Sequence, residues 1–173
     1  EKRVWAETVL VASDQPDAGI LDFADREGLP TWTTPASRFK TKLEPEIEAA
    51  LAARLKEAGV ELVVLAGFMR VIKKPLLDAF SGAIINIHPS LLPAFKGLDA
   101  WKQALEAGVK ETGCTVHWVD DSLDGGEIIS QRSVPVLAED TATSLHARIQ
   151  SEEHKLLPDV VDQLARARPG QTS

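Results

Sequence analysis

The sequence has only one cysteine and no long hydrophobic run, and each absence excludes a class of protein. Cys114 cannot form an internal disulfide and has no second thiol for a cysteine-based metal site, so we expect a buried structural thiol. The longest nearly apolar run, Val60 to Met69, includes Glu61 and is well short of the ~20 residues that a membrane-spanning helix requires. The amino end lacks the order of basic, apolar and small residues that is typical of a secretory signal. We therefore expect a cytoplasmic protein with no membrane segment.

An excess of positive charge is also lacking. The 173 residues carry a formal net charge of -7, and the calculated pI is about 5.1. General nucleic-acid binding depends on a basic surface, so we expect no nucleic-acid partner. A small anionic substrate is still compatible with a few locally placed basic residues.

Strand-like and helix-like segments alternate along the chain, whose length suits one domain with a single core. Short apolar or β-branched runs predict strands at residues 7–13, 62–66, 83–87, 114–119 and 128–136. Apolar periodicity and flanking Pro or Gly predict helices at residues 18–27, 43–58, near 75, 100–107 and 142–167. The alternation predicts an α/β fold with a doubly wound, mostly parallel sheet.

Unusual polar and turn-forming residues follow three of the predicted strands, at Gly67 to Arg70, Asn86 to Pro93 and Asp120 to Gly126. Ligands of open parallel sheets bind beyond the carboxyl ends of the strands. We therefore expect these three loops to line one cleft, although Gly, Pro, Asn and Asp are also common in ordinary loops.

Three side chains in these loops suit a site that stabilises a developing oxyanion and moves a proton. Asn86 and His88 are two residues apart, so a strand would point both to the same side, where they could hydrogen-bond one developing oxyanion. Asp124 could orient the imidazole and raise its pKa. Each residue also has a structural interpretation: a turn-capping amide, a satisfied buried imidazole and an aspartate in a tight turn.

A fourth polar side chain, His117, lies in a predicted strand. We do not expect it to have a functional role, because the sequence pattern does not determine the face of the sheet to which it points. A metal site formed by His88, His117 and Asp124 is conceivable. However, no HExxH or comparable ligand spacing supports it, so we expect no metal.

Several motifs resemble those of glycinamide ribonucleotide formyltransferase, a folate-dependent formyltransferase of purine synthesis. They are NIHPSLLP at residues 86–93, VVLAGFMR at 63–70, GCTVHWV at 113–119, LDGG at 123–126 and QSEEH at 150–154. The resemblance runs from about Ala6 to the last helix and implies a Rossmann-like formyltransferase fold. Methionyl-tRNA formyltransferase usually has Ala after the histidine, a Leu-Asp-Thr-Gly turn and a further domain. Formyltetrahydrofolate deformylase is closer at Leu92 to Phe95, but it normally lacks Pro89 and has an additional regulatory domain.

The resemblance implies that the amine of glycinamide ribonucleotide attacks the formyl carbon of 10-formyltetrahydrofolate. Asn86 and protonated His88 would then stabilise the oxyanion, His88 would donate a proton to the leaving nitrogen, and Asp124 would raise the His88 pKa. No metal is implied.

The resemblance also implies two sets of binding residues. The folate-binding set is Lys42, Met69, Arg70, Val71, Ile72, Asn86, Asp120, Asp121, Ser122, Leu123 and Asp124. The ribonucleotide-binding set is Pro89, Gln150, Ser151, Glu152 and Glu153.

Members of this family begin with a strand and a glycine-rich phosphate loop, and this sequence starts after them. We therefore expect residues 1–173 to be a single formyltransferase domain that is incomplete at its amino end. Monomer and homodimer are both compatible with the sequence. Two alternative functions are a formyltetrahydrofolate deformylase and a catalytically inactive ligand-binding domain on the same scaffold.

Overall fold

A computed structural model describes residues 4–167 and shows an α/β fold, which confirms the predicted fold class. The strands are β1 (Val11–Ser13), β2 (Thr31–Thr33), β3 (Val63–Leu65), β4 (Ile84–His88), β5 (Glu111–Trp118) and β6 (Ile128–Pro135). The helices are α1 (Gly19–Arg26), α2 (Pro45–Glu57), α3 (Lys74–Ala79), α4 (Ala100–Glu106) and α5 (Ala142–Ala167). None of the helices within residues 4–167 is long and apolar enough to cross a membrane.

The described residues form two compact units. Residues 7–84 make up one unit, in which β1 and β2 pair in parallel and Ser13 aligns with Thr33. Helix α2 begins with Pro45 in its first turn and ends before Gly59, which has a φ of 73°. Both residues match the positions that Pro and Gly prefer at helix ends. The buried apolar residues of this unit come mainly from its helices: Leu21, Ala24, Leu51, Ala52, Leu55 and Leu76.

The other unit contains residues 85–167 together with residues 4–6. Strand β5 lies between β4 and β6 and is antiparallel to both. Buried Leu145, Ile149, Leu156 and Val160 recur along α5, and this helix packs against β5 and β6. The packing covers one face of β5, on which Cys114 and Val116 are fully buried.

Most predicted elements are confirmed, with differences at the ends of strands. We predicted a strand at residues 7–13, but the observed strand β1 is limited to Val11–Ser13, which pair with Thr31–Thr33. The next residue back along β2 is Pro30, which has no N–H to continue the ladder. Strand β2 itself was not predicted, because three residues between turn-forming segments show no measurable periodicity.

Strand β5 starts three residues earlier than predicted, at Glu111. An ideal Cβ on Gly113 would lie 2.0 Å from the carbonyl oxygen of Arg132 on β6. Glycine is therefore required by the close approach of the two strands, although glycine inside a run normally argues against a strand.

Candidate active site

The pairing of β4 with β5 places four polar side chains on one face of the sheet. Asn86 pairs with His117, and His88 pairs with Thr115. Directly opposed residues of antiparallel strands point to the same side. Since the alternate residues Ile85, Ile87 and Val116 are buried and apolar, this face is polar and the opposite face belongs to the core.

His88 is only 5% exposed, and each of its ring nitrogens faces a hydrogen-bond acceptor. Its Nε2 lies 2.9 Å from the carbonyl oxygen of Phe95, and its Nδ1 lies 3.5 Å from Oδ2 of Asp124. A doubly protonated imidazolium can donate from both nitrogens, so this pocket accommodates the charged ring. The 3.5 Å separation is an ion-pair distance rather than a tight hydrogen bond.

Asp124 is held in place by the backbone. Its Oδ2 accepts a hydrogen bond of 2.8 Å from the amide of Gly97, and its own backbone is left-handed, with a φ of 46°. Aspartate tolerates this conformation better than most residues. The carboxylate is thus fixed beside His88 by the backbone conformation and by a second loop.

The loop that carries Asp124 corrects one expectation. We expected three strand ends at the same edge of a parallel sheet, but β5 runs antiparallel to β4, and its last residue, Trp118, pairs with Ile85 at the start of β4. The loop after β5 therefore starts at the end of the sheet opposite to His88, and it must run back toward that histidine. The loop closes on β5 at Gly126, where a Cβ would be 1.8 Å from the carbonyl oxygen of Trp118. Asp124, two residues earlier, reaches His88 and accepts the Gly97 hydrogen bond.

His117 belongs to this cluster, a position that our prediction missed. It is 3% exposed, its Nε2 lies 3.2 Å from Nδ2 of Asn86, and the same Nε2 lies 3.9 Å from Oδ1 of Asp124. The available signal was the alternation of Thr115 and His117 with Cys114 and Val116 in a buried strand. That alternation places two polar residues on one face.

A buried network supports the segment that follows His88. The hydroxyl of Thr115 donates to the carbonyl oxygen of Ser90 at 2.7 Å and accepts from the amide of Leu92 at 3.1 Å. The Gln131 amide nitrogen donates to the carbonyl oxygen of Leu92 at 2.9 Å and to the Thr115 hydroxyl at 2.8 Å. Two strands therefore fix the backbone of the loop beyond the catalytic candidates.

The predicted folate residues of the 120–124 loop are mostly at the surface. The Asp120 carboxylate accepts hydrogen bonds from the amide and hydroxyl of Ser122, and these bonds lower its pKa. Asp121 and Leu123 are exposed, with Leu123 at 56%. The exposed apolar side chain of Leu123 is compatible with packing against a ring-shaped ligand.

The other predicted folate residues lie in the unit of residues 7–84. The Arg70 guanidinium is engaged internally: it pairs with Asp14 and donates to the carbonyl oxygens of Phe39 and Lys42. Lys42 and Val71 form a parallel bridge, and Met69 is 63% exposed. Any ligand contact of Arg70 through its guanidinium would therefore compete with three protein partners.

The predicted ribonucleotide residues on α5 have different surroundings from one another. Gln150 and Ser151 are exposed. Glu152 forms ion pairs with Arg132 on β6 at 3.3 Å and with Lys155 at 2.6 Å. Burial raises the pKa of Glu153, which is half-buried. Glu152 therefore contributes to helix packing, whereas Glu153 has no such ion pair among the described contacts.

Within the part of the chain that the structure describes, no group of three or more His, Cys, Asp or Glu side chains could hold a metal ion. Pro89, the remaining ribonucleotide candidate, directly follows His88 at the end of β4 and is half-buried.

Comparison with known proteins identifies the family. The formyl transferase family model matches residues 1–161. Phosphoribosylglycinamide formyltransferase of Bacillus subtilis is 42% identical over 92% of this chain and 80% of its own length. The trifunctional purine biosynthetic protein adenosine-3 of Gallus gallus is 43% identical over 93% of this chain, which spans only 16% of that relative.

Solved structures agree with the sequence relatives. Glycinamide ribonucleotide transformylase 1 from Symbiobacterium toebii superposes with a TM-score of 0.85 at 47% identity, over 92% of this chain and 74% of that one. Phosphoribosylglycinamide formyltransferase from Streptococcus pneumoniae gives a TM-score of 0.84 at 41% identity, over 90% and 85% of the two chains. These comparisons confirm the resemblance seen in the motifs, and the chain belongs to the formyl transferase family.

Proposed function

We propose that the protein transfers the formyl group of 10-formyltetrahydrofolate to the amine of glycinamide ribonucleotide, a step of purine biosynthesis. The proposal depends on one observation: buried His88 lies between the Asp124 carboxylate and the Phe95 carbonyl, on the same sheet face as Asn86. The names of the relatives at about 40% identity supply the substrate class.

The proposed reaction has two steps, addition and collapse. The substrate amine attacks the formyl carbon, and a tetrahedral oxyanion forms that needs hydrogen-bond donors. Asn86 supplies an amide N–H, and His88 supplies a ring N–H on the same face. In the collapse, the carbon–nitrogen bond to the folate breaks, and His88 donates its proton to the leaving nitrogen. The proton that the attacking amine loses then restores the imidazolium of His88.

Asp124 has two roles in this scheme. Its negative charge favours the imidazolium form of His88, and its position fixes the ring orientation. When substrate binds, the Nε2 proton of His88 must leave the Phe95 carbonyl for the reacting atoms. Catalytic hydrogen bonds are commonly formed only in the complex with substrate.

The binding sites are proposed on the same basis. We assign folate to the backbone of Met69 to Ile72, to the loop Asp120 to Asp124, and to Lys42. We assign the ribonucleotide to Pro89 and to α5 at Gln150, Ser151, Glu152 and Glu153. Since Glu152 already pairs with Arg132 and Lys155, Glu153 is the side chain that we expect to contact the ribose.

A formyl-transfer assay with glycinamide ribonucleotide and 10-formyltetrahydrofolate tests the function, with formate release measured in the same reaction. We expect transfer in the wild type and a loss of about 10²- to 10⁴-fold in kcat for His88→Ala and Asp124→Asn. His146→Ala is the matched control, because His146 stacks on Trp101 with ring centroids 3.7 Å apart and lies outside the cluster.

Three results would contradict the proposal in different ways. Formate release without transfer would identify a deformylase. Substrate binding without either reaction would identify an inactive binding domain. Unchanged kcat in both variants would remove the assigned catalytic roles while leaving the family assignment intact.

A further inference from the structure

The contacts of His117 have no role in the mechanism above, yet they determine the orientation of the Asn86 side chain. The Nδ1 atom of His117 lies 2.9 Å from the carbonyl oxygen of Trp118. A carbonyl oxygen only accepts hydrogen bonds, so Nδ1 must carry a proton. In the neutral ring, Nε2 is then the unprotonated nitrogen and acts as an acceptor.

This tautomer decides which end of the Asn86 amide faces the histidine. An acceptor at Nε2 requires a donor, and the Nδ2 amide group of Asn86 lies 3.2 Å away. One amide hydrogen is used in this bond, and the second hydrogen of the same nitrogen stays available. The neutral histidine therefore holds Asn86 as a donor.

A protonated His117 would reverse the arrangement. Both ring nitrogens would then donate, so the Asn86 amide would turn by about 180° and present its oxygen to Nε2. A lone pair would replace the amide hydrogen on the side of the reacting oxygen, where it would repel an oxyanion.

The two histidines differ in how close their ring nitrogens lie to acceptors. Asp124 and Asp120 face His117 from the loop after β5, and Asn86 and His88 face it from β4. Asp124 lies between the rings, 3.5 Å from His88 Nδ1 and 3.9 Å from His117 Nε2. His88 has acceptors 2.9 and 3.5 Å from its two ring nitrogens. The only group within hydrogen-bond distance of His117 Nε2 among the described contacts is the Asn86 amide, at 3.2 Å. The Asp124 carboxylate therefore lies closer to the His88 ring than to the His117 ring.

We propose that His117 is a positioning residue, which in its neutral Nδ1–H tautomer fixes the Asn86 amide as an oxyanion donor. This role rests on the proposed formyl transfer. His117 acts through Asn86 and does not itself contact the reacting atoms.

Two substitutions of His117 test this role through kcat, KM and the pH profile. His117→Phe removes the acceptor, and we expect kcat to fall by about 10- to 100-fold with both KM values within about threefold. His117→Gln offers a neutral acceptor oxygen to Asn86 and should recover part of the loss. It should also give a shallower decline of kcat on the acidic side, because an amide does not titrate. His146→Gln is the control, and we expect it to leave kcat and its pH profile unchanged.

A measurement without turnover separates this proposal from the proposed function. Nitrogen-15 shifts of the His117 ring in the wild-type protein should show a protonated Nδ1 and an unprotonated Nε2 at neutral pH. The Asn86 side-chain amide resonances should shift in His117→Phe. An Nε2–H tautomer, or equal kcat in wild type and His117→Phe, would overturn the role of His117. Absence of formyl transfer in the wild type would overturn the proposed function. The nitrogen-15 measurement would then still show whether His117 holds the Asn86 amide in the proposed orientation.

Discussion

At the residue scale, two buried histidines on one sheet face differ in what surrounds their ring nitrogens. His88 has an acceptor at each nitrogen, from Asp124 and from the Phe95 carbonyl. His117 has one carbonyl acceptor and one amide that can turn either way, and the Asp124 carboxylate lies farther from it, at 3.9 Å. Residue type and burial are the same, so hydrogen-bond partners alone distinguish the proposed proton donor from the proposed positioning residue.

Cys114 is predicted to be chemically inert in the folded protein. It is fully buried, and burial raises its pKa to about 12, whereas an exposed thiol titrates near about 8.5. We expect a thiol-specific chromogenic reagent to react at about pH 8 only after unfolding in urea, because the thiolate is the nucleophile. Rapid reaction of the native protein would contradict this prediction.

The same shift has a consequence for stability. The folded-state pKa of Cys114 is raised, so folding favours the protonated thiol, and its contribution to stability is fully present below the unfolded-state value. That contribution is lost as the pH rises from about 9 toward 12.

At the element scale, a buried side chain on one helix supports the start of another helix. In the unit of residues 7–84, Glu48 on α2 accepts a hydrogen bond of 2.6 Å from the amide of Lys73, the residue that precedes α3. Its Oε1 thus satisfies a backbone donor at the start of a six-residue helix. Its other carboxylate oxygen, Oε2, is buried and has no hydrogen-bond partner among residues 4–167.

We expect Glu48→Ala to destabilise this unit by about 1–3 kcal/mol, because it removes a fully buried side chain and leaves the Lys73 amide without its acceptor. Glu48→Gln keeps an acceptor oxygen and serves as the matched variant. Urea unfolding followed by circular dichroism measures both.

The pH dependence of these variants gives a second readout. Burial raises the pKa of Glu48, so the folded state prefers the protonated carboxyl, and the stability associated with it is lost as the pH rises through the folded-state pKa. The wild type should therefore lose stability relative to Glu48→Gln between mildly acidic and neutral pH. A constant difference between the two proteins would exclude a buried ionising Glu48.

Gly126 is the point at which the loop that carries Asp124 closes on β5. A Cβ at this position would lie 1.8 Å from the Trp118 carbonyl, so Gly126→Ala must displace the loop from β5. We expect a lower Tm and a loss of kcat, because Asp124 moves away from His88. Gly19→Ala is the control: a Cβ there meets nothing within 4 Å, and replacing glycine in a helix by alanine is neutral or stabilising by up to about 1 kcal/mol. Equal effects of the two substitutions would show that the contact with Trp118 does not position the loop.

At the scale of the whole molecule, charge is the property that the sequence states most directly. With 26 acidic and 19 basic side chains, the net charge is -7. We expect no binding of a labelled DNA duplex in fluorescence anisotropy at about 0.15 M salt, because phosphate contacts require a basic surface. Saturable binding that weakens steeply with added salt would show a local basic surface that the net charge conceals.

The sequence by itself determined the alternation of helices and strands and the residue types of the site. Periodicity and Pro or Gly punctuation located α2, α5 and β4 to within two residues, because these are local properties of the backbone and of one amphipathic face. The motif at residues 86–93 and the Asp-Gly-Gly turn at 124–126 indicated the chemistry, because few residue types stabilise an oxyanion and transfer a proton.

Only the tertiary structure decided the direction of β5, the partner of Asn86 and the contacts of Arg70. Strand direction depends on which hydrogen-bond ladder forms, and a ladder joins residues such as Asn86 and His117 that are 31 positions apart. The sequence predicts that Arg70 belongs to a folate-binding loop that acts largely through its backbone. The tertiary structure adds that Asp14, Phe39 and Lys42 engage the Arg70 guanidinium. Composition and spacing specify which groups are present, whereas pairing between distant residues determines which of them face a substrate and which face one another.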